Sequence, residues 1–282
     1  GLVGTGTVKD DMKRWWYNLR GKEDPFLKIG EANDRSSKGE SDYVWSLRDI
    51  NFEINQGDSV GIIGRNGAGK SSLLKSLAGI SQLATGFVVV SGFNPQNLKG
   101  KERRSTIGFI PQEPSDLLYG QSVAIECEQA DRDNELTAGT TNAVLQQLVP
   151  GISTATHPRD LSEGQRLGLA LSVVLSSNPS ILILDEPTRG LDYQAKNELT
   201  RMLINFSASF GKAVILATHD VELVAELASR VIFIADGDIV ADGSTLDVLL
   251  SSPAFAPQVA KVMSPQPWLS VKDVVAALEG LQ

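Results

Sequence analysis

Short apolar runs separated by polar and glycine-rich turns recur along the chain, and their spacing predicts strands and helices in alternation. Ile50, Phe52 and Ile54 alternate with polar neighbours, as in a half-buried strand. Further apolar runs of strand length lie at 59–63, 87–90, 107–110, 181–184, 213–217 and 231–235. Helical spacing predicts helices at 71–78, 123–129, 141–148, 167–175, 197–206, 221–227 and 271–281. This alternation predicts an α/β fold, with a parallel sheet covered by helices on both faces.

Changes in composition divide the chain into three predicted parts. Residues 1–42 are rich in charge and turn formers, and we expect a partly irregular N-terminal extension there. Its aromatic cluster, Trp15-Trp16-Tyr17, is expected to pack on the chain's own domain rather than on a membrane. Residues 43–250 form the main domain, with a helical subdomain at about 112–175, and residues 251–282 form a short C-terminal appendage.

Overall composition excludes several classes of protein. With 41% hydrophobic and 21% charged residues, the chain is expected to be globular and soluble rather than collagen-like or disordered. A net charge of −8 disfavours binding to a phosphate backbone, so no nucleic acid partner is expected. One cysteine, Cys127, and two histidines are too few for a disulfide or a usual zinc site. No apolar run is long enough to cross a bilayer, so any membrane spans must come from other subunits.

A complete phosphate-binding motif lies between the predicted strand at 59–63 and the helix that follows. The residues Gly64-Arg65-Asn66-Gly67-Ala68-Gly69-Lys70-Ser71 fit G-x-x-x-x-G-K-[ST]. Glycines let successive backbone N–H groups face phosphates, the helix N-terminus adds a favourable dipole, and Lys70 supplies a positive charge. Ser71 would place its hydroxyl on Mg²⁺. A glycine-rich turn without a ligand would have no use for this lysine.

A second candidate site follows the apolar strand at 181–184, where Asp185-Glu186-Pro187 begins. Asp185 would bind magnesium, directly or through water, and Glu186 would orient and polarise the attacking water as general base. Taken alone, an Asp-Glu pair after a strand is as often a turn or a helix cap. Together with the glycine loop it predicts phosphoryl transfer to water, in which positioning and electrostatics supply most of the catalysis.

Four further motifs lie along the chain. They are Gln112 after the strand at 107–110, Leu161-Ser162-Glu163-Gly164-Gln165, Gly190-Leu191-Asp192 and Ala217-Thr218-His219-Asp220. With these motifs, residues 43–245 resemble the nucleotide-binding subunit of an ATP-binding cassette (ABC) transporter. The resemblance implies a P-loop NTPase fold with a RecA-like core, a short antiparallel β region near the N-terminus and a helical signature subdomain. It also implies ATP and Mg²⁺ as cofactors.

The same resemblance implies a role for each matching residue. Gln112 would contact Mg²⁺ and the attacking water and relay to a membrane partner, and His219 would contact the γ-phosphate. Asp192 would bridge to an opposing subunit. The nucleotide contacts would comprise residues 64–71, Ser72, an adenine-stacking aromatic (Tyr43, with Trp45 as the other candidate) and, across the dimer, Ser162, Gly164 and Gln165.

Some of these residues also have a purely structural explanation. Gln112 is equally a loop amide, and His219 a capping side chain. Ser162 and Gln165 stand at the spacing of a helix capping box, which is compatible with a helix N-terminus aimed at a phosphate. Glu163 departs from the family pattern, which most often has glycine there. Unless its side chain points away, its negative charge would lie near the partner's γ-phosphate, and slower or asymmetric hydrolysis is expected.

The two ends of the chain resemble different subfamilies. Residues from about 6 to 79 resemble the ATPase of polysaccharide and O-antigen exporters, whereas residues from about 86 to 271 resemble energy-coupling-factor importers of vitamins and transition-metal ions. The longer span favours import, with export as the alternative and a recombined chain with a seam near Gly79 left open. Expected partners are integral membrane subunits and a second cassette, identical or different, at the cytoplasmic face of the membrane.

Other classes of ATPase fit less well. A chromosome-organising ATPase would place a long coiled coil between the glycine loop and the signature, but Lys70 and Ser162 lie only 92 positions apart. A small-molecule kinase would have no use for residues 161–165. A regulatory cassette without a membrane partner stays possible, although intact Glu186 and His219 argue against a non-hydrolysing form. The transported solute is not encoded in any of these motifs.

Overall fold

The computed structural model describes residues 46–210, 212–251 and 255–279. Its strands are β1 (Ser59–Ile63), β2 (Ile107–Ile110), β3 (Ile181–Asp185), β4 (Ala213–Ala217), β5 (Arg230–Ala235) and β6 (Asp238–Ser244). Its first five helices are α1 (Lys70–Leu77), α2 (Gly100–Thr106), α3 (Val123–Asp133), α4 (Thr140–Leu148) and α5 (Glu163–Ser176). The other five are α6 (Tyr193–Phe210), α7 (Val221–Leu227), α8 (Thr245–Leu250), α9 (Gln258–Met263) and α10 (Val271–Glu279).

The six strands form one mixed sheet in the order β2-β3-β4-β1-β5-β6. β3 pairs in parallel with both β2 and β4, and β6 pairs antiparallel with β5. Strands β1 and β4 are buried along their whole length, which explains why they are nearly continuous apolar runs. The α/β cassette architecture predicted from the sequence is therefore confirmed.

The chain divides into two compact units. The first holds the described residues up to Glu53, Gly61–Ser72 and those from His219 onward. Within it, Arg230 on β5 makes two 2.7 Å hydrogen bonds with the carboxylate of Asp242 on β6. The Phe233 and Phe255 rings lie 4.5 Å apart, and Lys272 on α10 pairs with Glu226 on α7 at 3.3 Å. The first contact joins β5 to β6, and the other two attach the C-terminal segment to β5 and to α7.

The second unit comprises Ile54–Val60 and Leu73–Thr218 and contains the helical cluster α3, α4 and α5. The core of this cluster consists of the buried residues Val123, Cys127, Leu145, Ile152, Leu161 and Leu169. Burial and the neighbouring carboxylates Asp131, Glu126 and Glu128 raise the pKa of the Cys127 thiol to about 11. A thiol that stays protonated is a poor nucleophile, so Cys127 acts here as a core residue.

The predicted elements differ from the observed ones in a few places. The run at 87–90 forms no strand; only Val90 makes a β-bridge, with Phe93, and Phe87 is largely exposed. Residues 50–54 make no ladder, although their burial alternates as the sequence predicts. Four elements of the described part were not predicted: helices α2, α8 and α9 and strand β6. Helix α2 and strand β6 have no clear apolar period, and α8 and α9 are only six residues long. Residues 46–58 form no strand, and the rest of the N-terminal part in which an antiparallel β region was expected lies outside the described residues.

Among the described helices, none combines the length and the apolar character needed to cross a membrane.

A buried carboxylate fixes the turn between α3 and α4. Asp131 accepts hydrogen bonds from the backbone N–H groups of Gly139 (2.7 Å) and Thr141 (2.8 Å) and from the Thr141 hydroxyl (2.6 Å). Burial acts to raise the pKa of the Asp131 carboxyl, but the hydrogen bonds from Thr141 and its neighbours outweigh it and hold the pKa below its ordinary value. The ionised carboxylate therefore stabilises the fold above the unfolded-state pKa of about 3.9, and this contribution is lost as the pH falls through the folded-state pKa.

We predict that Asp131→Asn lowers the free energy of unfolding at pH 7 by about 1–3 kcal/mol. The substitution replaces one carboxylate oxygen, which accepts a hydrogen bond, by an amide NH2 group that cannot accept one. Urea unfolding of both proteins between pH 7 and pH 3 should show that the difference between their free energies of unfolding becomes smaller below about pH 4. Asp133→Asn, an exposed change on the same helix, serves as the control. A difference that is independent of pH would contradict the assigned role of the ionised carboxylate.

Candidate functional site

The glycine-rich loop between β1 and α1 follows the predicted strand, turn and helix order. Gly67 and Gly69 adopt φ angles of 81° and 103°, in the left-handed region that favours glycine. A Cβ at Gly64 would lie 2.3 Å from the Ile234 carbonyl oxygen, and one at Gly69 would lie 2.7 Å from the Ser46 carbonyl oxygen. Ala68 is buried and accepts a hydrogen bond from the Gly237 backbone N–H at 3.2 Å. The loop thus has close packing on one side and exposed Arg65 and Asn66 at its tip.

Lys70 begins helix α1, and its ammonium group is held inside the loop. Lys70 Nζ donates to the Gly64 carbonyl oxygen at 2.8 Å, and the residue is 6% exposed. Ser71 and Ser72 follow in the first turn and are half-buried. The N–H groups of a first helical turn have no intrahelical acceptor, so this end of α1 favours an anion. The loop, the helix end and the buried ammonium group are what a phosphate site requires.

Strand β3 ends at Asp185, the predicted magnesium ligand, and Glu186, the predicted general base, follows it. Asp185 is 2% exposed and Glu186 is 8% exposed. The backbone N–H of Glu186 donates to the Ala217 carbonyl oxygen at 2.7 Å, which ties the residue to the end of β4. Glu186 has a φ of 50°, which is uncommon for a residue other than glycine. This turn ends the strand and sends the chain toward Thr188 and Arg189.

Thr218 is a neighbour of Glu186 that motif analysis missed as a functional candidate. It follows β4, has no exposed surface, and its hydroxyl donates to Glu186 Oε2 at 3.1 Å. No sequence period points to such a contact, because the two residues are 32 positions apart. The register that places Asp185 opposite Ala217 is what brings them together.

A cleft of about 260 Å³ beside Glu186 contains two other residues singled out by sequence. Gln112 and Glu163 both line it, together with Arg189. Arg189 Nη1 lies 2.8 Å from Glu113 Oε1, so an ion pair joins the loop after Gln112 to the loop after Glu186. The structure therefore brings Gln112, Glu163 and Glu186 to one cleft of this chain. The placement of Gln112 beside Glu186 agrees with their expected roles, whereas the expected position of Glu163 near a partner's γ-phosphate stays a prediction.

The signature residues form the beginning of α5. Ser162 Oγ accepts from the Gln165 backbone N–H at 3.3 Å, and the Gln165 side chain accepts from the Ser162 N–H at 3.0 Å. This reciprocal capping box confirms the helix start predicted from the spacing. Ser162 is exposed, which contact with a second molecule would require. Gly164 packs against Ala195: a Cβ added at Gly164 would lie 3.4 Å from the Ala195 Cβ, an ordinary van der Waals distance.

The carboxylate of Glu163, the residue that departs from the family pattern, forms an ion pair with Arg166. Its Oε1 lies 2.7 Å from Arg166 Nη1, and Arg166 also donates to the Leu161 carbonyl oxygen at 2.9 Å. The Glu163 side chain also lies beside Gly190, where a Cβ would come within 3.3 Å of Glu163 Cγ. The pairing with Arg166 reduces the repulsion expected between Glu163 and a phosphate, and altered hydrolysis stays a prediction.

The remaining predicted residues occupy helix starts or lie outside the described part. Asp192 Oδ1 accepts from the Ala195 N–H at 2.8 Å and caps α6, so its structural role is clear while its bridging role stays a prediction. His219 is exposed and precedes the α7 cap at Asp220. Tyr43 and Trp45, the candidates for stacking on adenine, lie outside the described residues.

The available oxygen donors suit magnesium rather than a transition metal. Asp185 is a buried carboxylate, Ser71 offers a hydroxyl and Gln112 an amide oxygen, and oxygen ligands of this kind are what Mg²⁺ prefers. The described residues contain no cluster of three or more His, Cys, Asp or Glu that could hold a metal by itself.

Comparison with known proteins gives a consistent result. A family model described as ABC transporter matches residues 47–189. The chain is 48% identical over 266 residues to a Streptomyces coelicolor protein named as an ABC transporter ATP-binding protein, covering 94% of this chain and 47% of that protein. It is 32% identical to an energy-coupling factor transporter ATP-binding protein of Methanospirillum hungatei, covering 72% of this chain and 75% of the relative.

Two solved structures resemble the chain closely in fold. One is a protein from Clostridium perfringens described as part of an ABC transporter complex, with a TM-score of 0.64, 25% identity and coverage of 86% of this chain and 95% of that one. The other is a dimeric ATP-binding cassette bound to ADP and Pi, with a TM-score of 0.66 and 24% identity, covering 74% of this chain and 94% of that one. At this identity the second likeness shows the fold alone.

Several of the relatives are longer than this chain, and the chain matches only part of each. The chain spans less than half the length of three relatives that it matches, at 47%, 42% and 49% of each. The Streptomyces coelicolor protein matches both sides of Gly79, so a recombined chain is not needed to explain the sequence. The exporter resemblance of the N-terminal quarter gains no support from these relatives.

We predict that Lys70→Ala weakens ATP binding by about 10–100-fold, the loss expected when a buried charged hydrogen-bond donor is removed. Isothermal titration calorimetry with ATP and Mg²⁺ measures the change. Lys75→Ala removes an exposed lysine from the same helix and should bind as the unmodified protein does. Undiminished affinity in the Lys70 variant would rule out the loop as the phosphate site.

Proposed function

We propose that this chain, which belongs to the ABC transporter family, binds and hydrolyses ATP and powers import of the energy-coupling-factor type. The observation that supports this subtype most is the match to energy-coupling factor transporter ATP-binding proteins, which are 30–32% identical and are covered over 67–75% of their length. The resemblance to the Clostridium perfringens component supports it further. The imported solute would be a vitamin or a transition-metal ion.

The proposed chemistry assigns one task to each group of residues. The amides of the loop that ends at Lys70 bind the phosphates of ATP, and Lys70 neutralises part of their charge. When bound, Mg²⁺ supplies further neutralisation of the phosphate oxygens, and Ser71, Gln112 and Asp185 are the residues that would hold it. Glu186 accepts the proton of the attacking water.

The remaining residues act in the proposed closed dimer. Ser162, Gly164 and Gln165 lie at a helix start whose first residue, Ser162, is exposed, and this helix start closes over the nucleotide of a second cassette. His219 contacts the terminal phosphate, and Asp192 bridges the two cassettes. Closure on ATP and reopening after hydrolysis would change which side of the membrane the partner subunits face. The second cassette is either a copy of this chain or a different one.

We predict that Glu186→Gln lowers the ATP turnover rate by at least about 100-fold, because the amide cannot accept a proton. ATP binding should persist, and a closed dimer should accumulate on size-exclusion chromatography in the presence of ATP. Glu198→Gln on the exposed face of α6 is the matched control and should keep normal turnover. Normal turnover in the Glu186 variant would remove this residue as the general base.

We also expect the chain to purify from membranes with integral subunits at the cytoplasmic face. The purified complex, reconstituted in liposomes with the cassettes facing the lumen, should accumulate a labelled vitamin or transition-metal ion only when ATP is enclosed in the lumen. Isolation with a polysaccharide export subunit would instead support the exporter. Recovery of an active ATPase with no membrane partner would support a regulatory cassette.

A further inference from the structure

The Glu186 carboxylate is held by a residue that no motif assigns to the reaction. Thr218 has no exposed surface, and its Oγ1 donates to Glu186 Oε2 at 3.1 Å. Glu186 itself is 8% exposed, so the bond lies largely out of reach of water. A hydrogen bond to an ionised group in such surroundings is stronger and more directional than one between neutral groups.

The backbone around this contact is fixed as well. Asp185 stands opposite Ala217 in the parallel β3–β4 register, and the Glu186 N–H donates to the Ala217 carbonyl oxygen at 2.7 Å. Consecutive residues of one chain segment, Ala217 and Thr218, thus hold the main chain and the side chain of Glu186. Two attachments from one rigid strand end leave the carboxylate little freedom to rotate.

We propose that Thr218 is a positioning residue for hydrolysis, which fixes the rotamer of the Glu186 carboxylate through its hydroxyl. This inference rests on the proposed role of Glu186 as general base. A base must reach the proton that it accepts within hydrogen-bond distance, and a misplacement of about 1 Å costs up to about 100-fold in rate. Removal of the hydroxyl should therefore lower the turnover rate. Nucleotide binding should stay unchanged, because Thr218 has no exposed surface with which to contact a nucleotide.

The decisive variant is Thr218→Val, which keeps the shape of the side chain and removes the donor. We expect kcat for ATP hydrolysis to fall about tenfold, equivalent to about 1.4 kcal/mol at 25 °C, with KM unchanged within a factor of two. Thr218→Ser keeps the hydroxyl and should retain most of the kcat. ATP affinity measured by calorimetry should be equal in all three proteins.

A matched control separates positioning from a general loss of packing. Thr200 on α6 is also buried, at 7% exposure, and its Oγ1 donates to the Lys196 carbonyl oxygen at 2.8 Å, away from Glu186. Thr200→Val should lower the melting temperature by a similar amount to Thr218→Val and leave kcat unchanged. Equal kcat for Thr218→Val and the unmodified protein would overturn the proposal, as would a Ser variant as slow as the Val variant.

The outcome also distinguishes this inference from the function on which it rests. If Glu186→Gln is inactive while Thr218→Val is fully active, Glu186 stays the base and only the positioning role of Thr218 is lost. If Glu186→Gln hydrolyses ATP normally, the base is another residue and the proposed chemistry itself is wrong.

Discussion

The register between β3 and β4 is the constraint on which the proposed chemistry of this chain depends. Parallel pairing places Asp185 opposite Ala217, so the two strands end level with one another. The next residues, Glu186 and Thr218, then lie side by side and bond through their side chains at 3.1 Å. A shift of one residue in this pairing would turn every side chain to the other face of the sheet and separate them. The buried apolar residues of both strands oppose such a shift.

The backbone conformation of Glu186 has a cost that its neighbours offset. A φ of 50° costs a non-glycine residue about 1–2 kcal/mol. The hydrogen bond from the Glu186 N–H to the Ala217 carbonyl oxygen compensates for part of it. The result is a sharp turn, after which Arg189 reaches Glu113 beside Gln112. Strain of this kind is common where a side chain must be presented in one orientation.

The sequence predicted the elements that are apolar and continuous, and the motifs that carry charge. The runs at 107–110 and 213–217 became β2 and β4 with the same bounds, because strands buried on both faces have no polar interruption. Strand β6 was missed since its three apolar residues are consecutive between polar ends and do not alternate, and it depends on β5 for its partner. The run at 87–90 shows the reverse: apolar residues without a paired ladder do not make a strand. Local spacing predicted the Ser162 and Gln165 capping box, whereas the Arg189–Glu113 and Thr218–Glu186 contacts join residues 76 and 32 positions apart and depend on topology.

A crystal structure of the protein with Mg²⁺ and a non-hydrolysable ATP analogue would test the central claim most directly. The account predicts phosphates on the backbone amides of the loop that ends at Lys70. It also predicts a water molecule within hydrogen-bond distance of the Glu186 carboxylate, with the Thr218 hydroxyl still bonded to Oε2. Phosphates bound elsewhere, or a Glu186 side chain turned away from the terminal phosphate with no water between them, would contradict it.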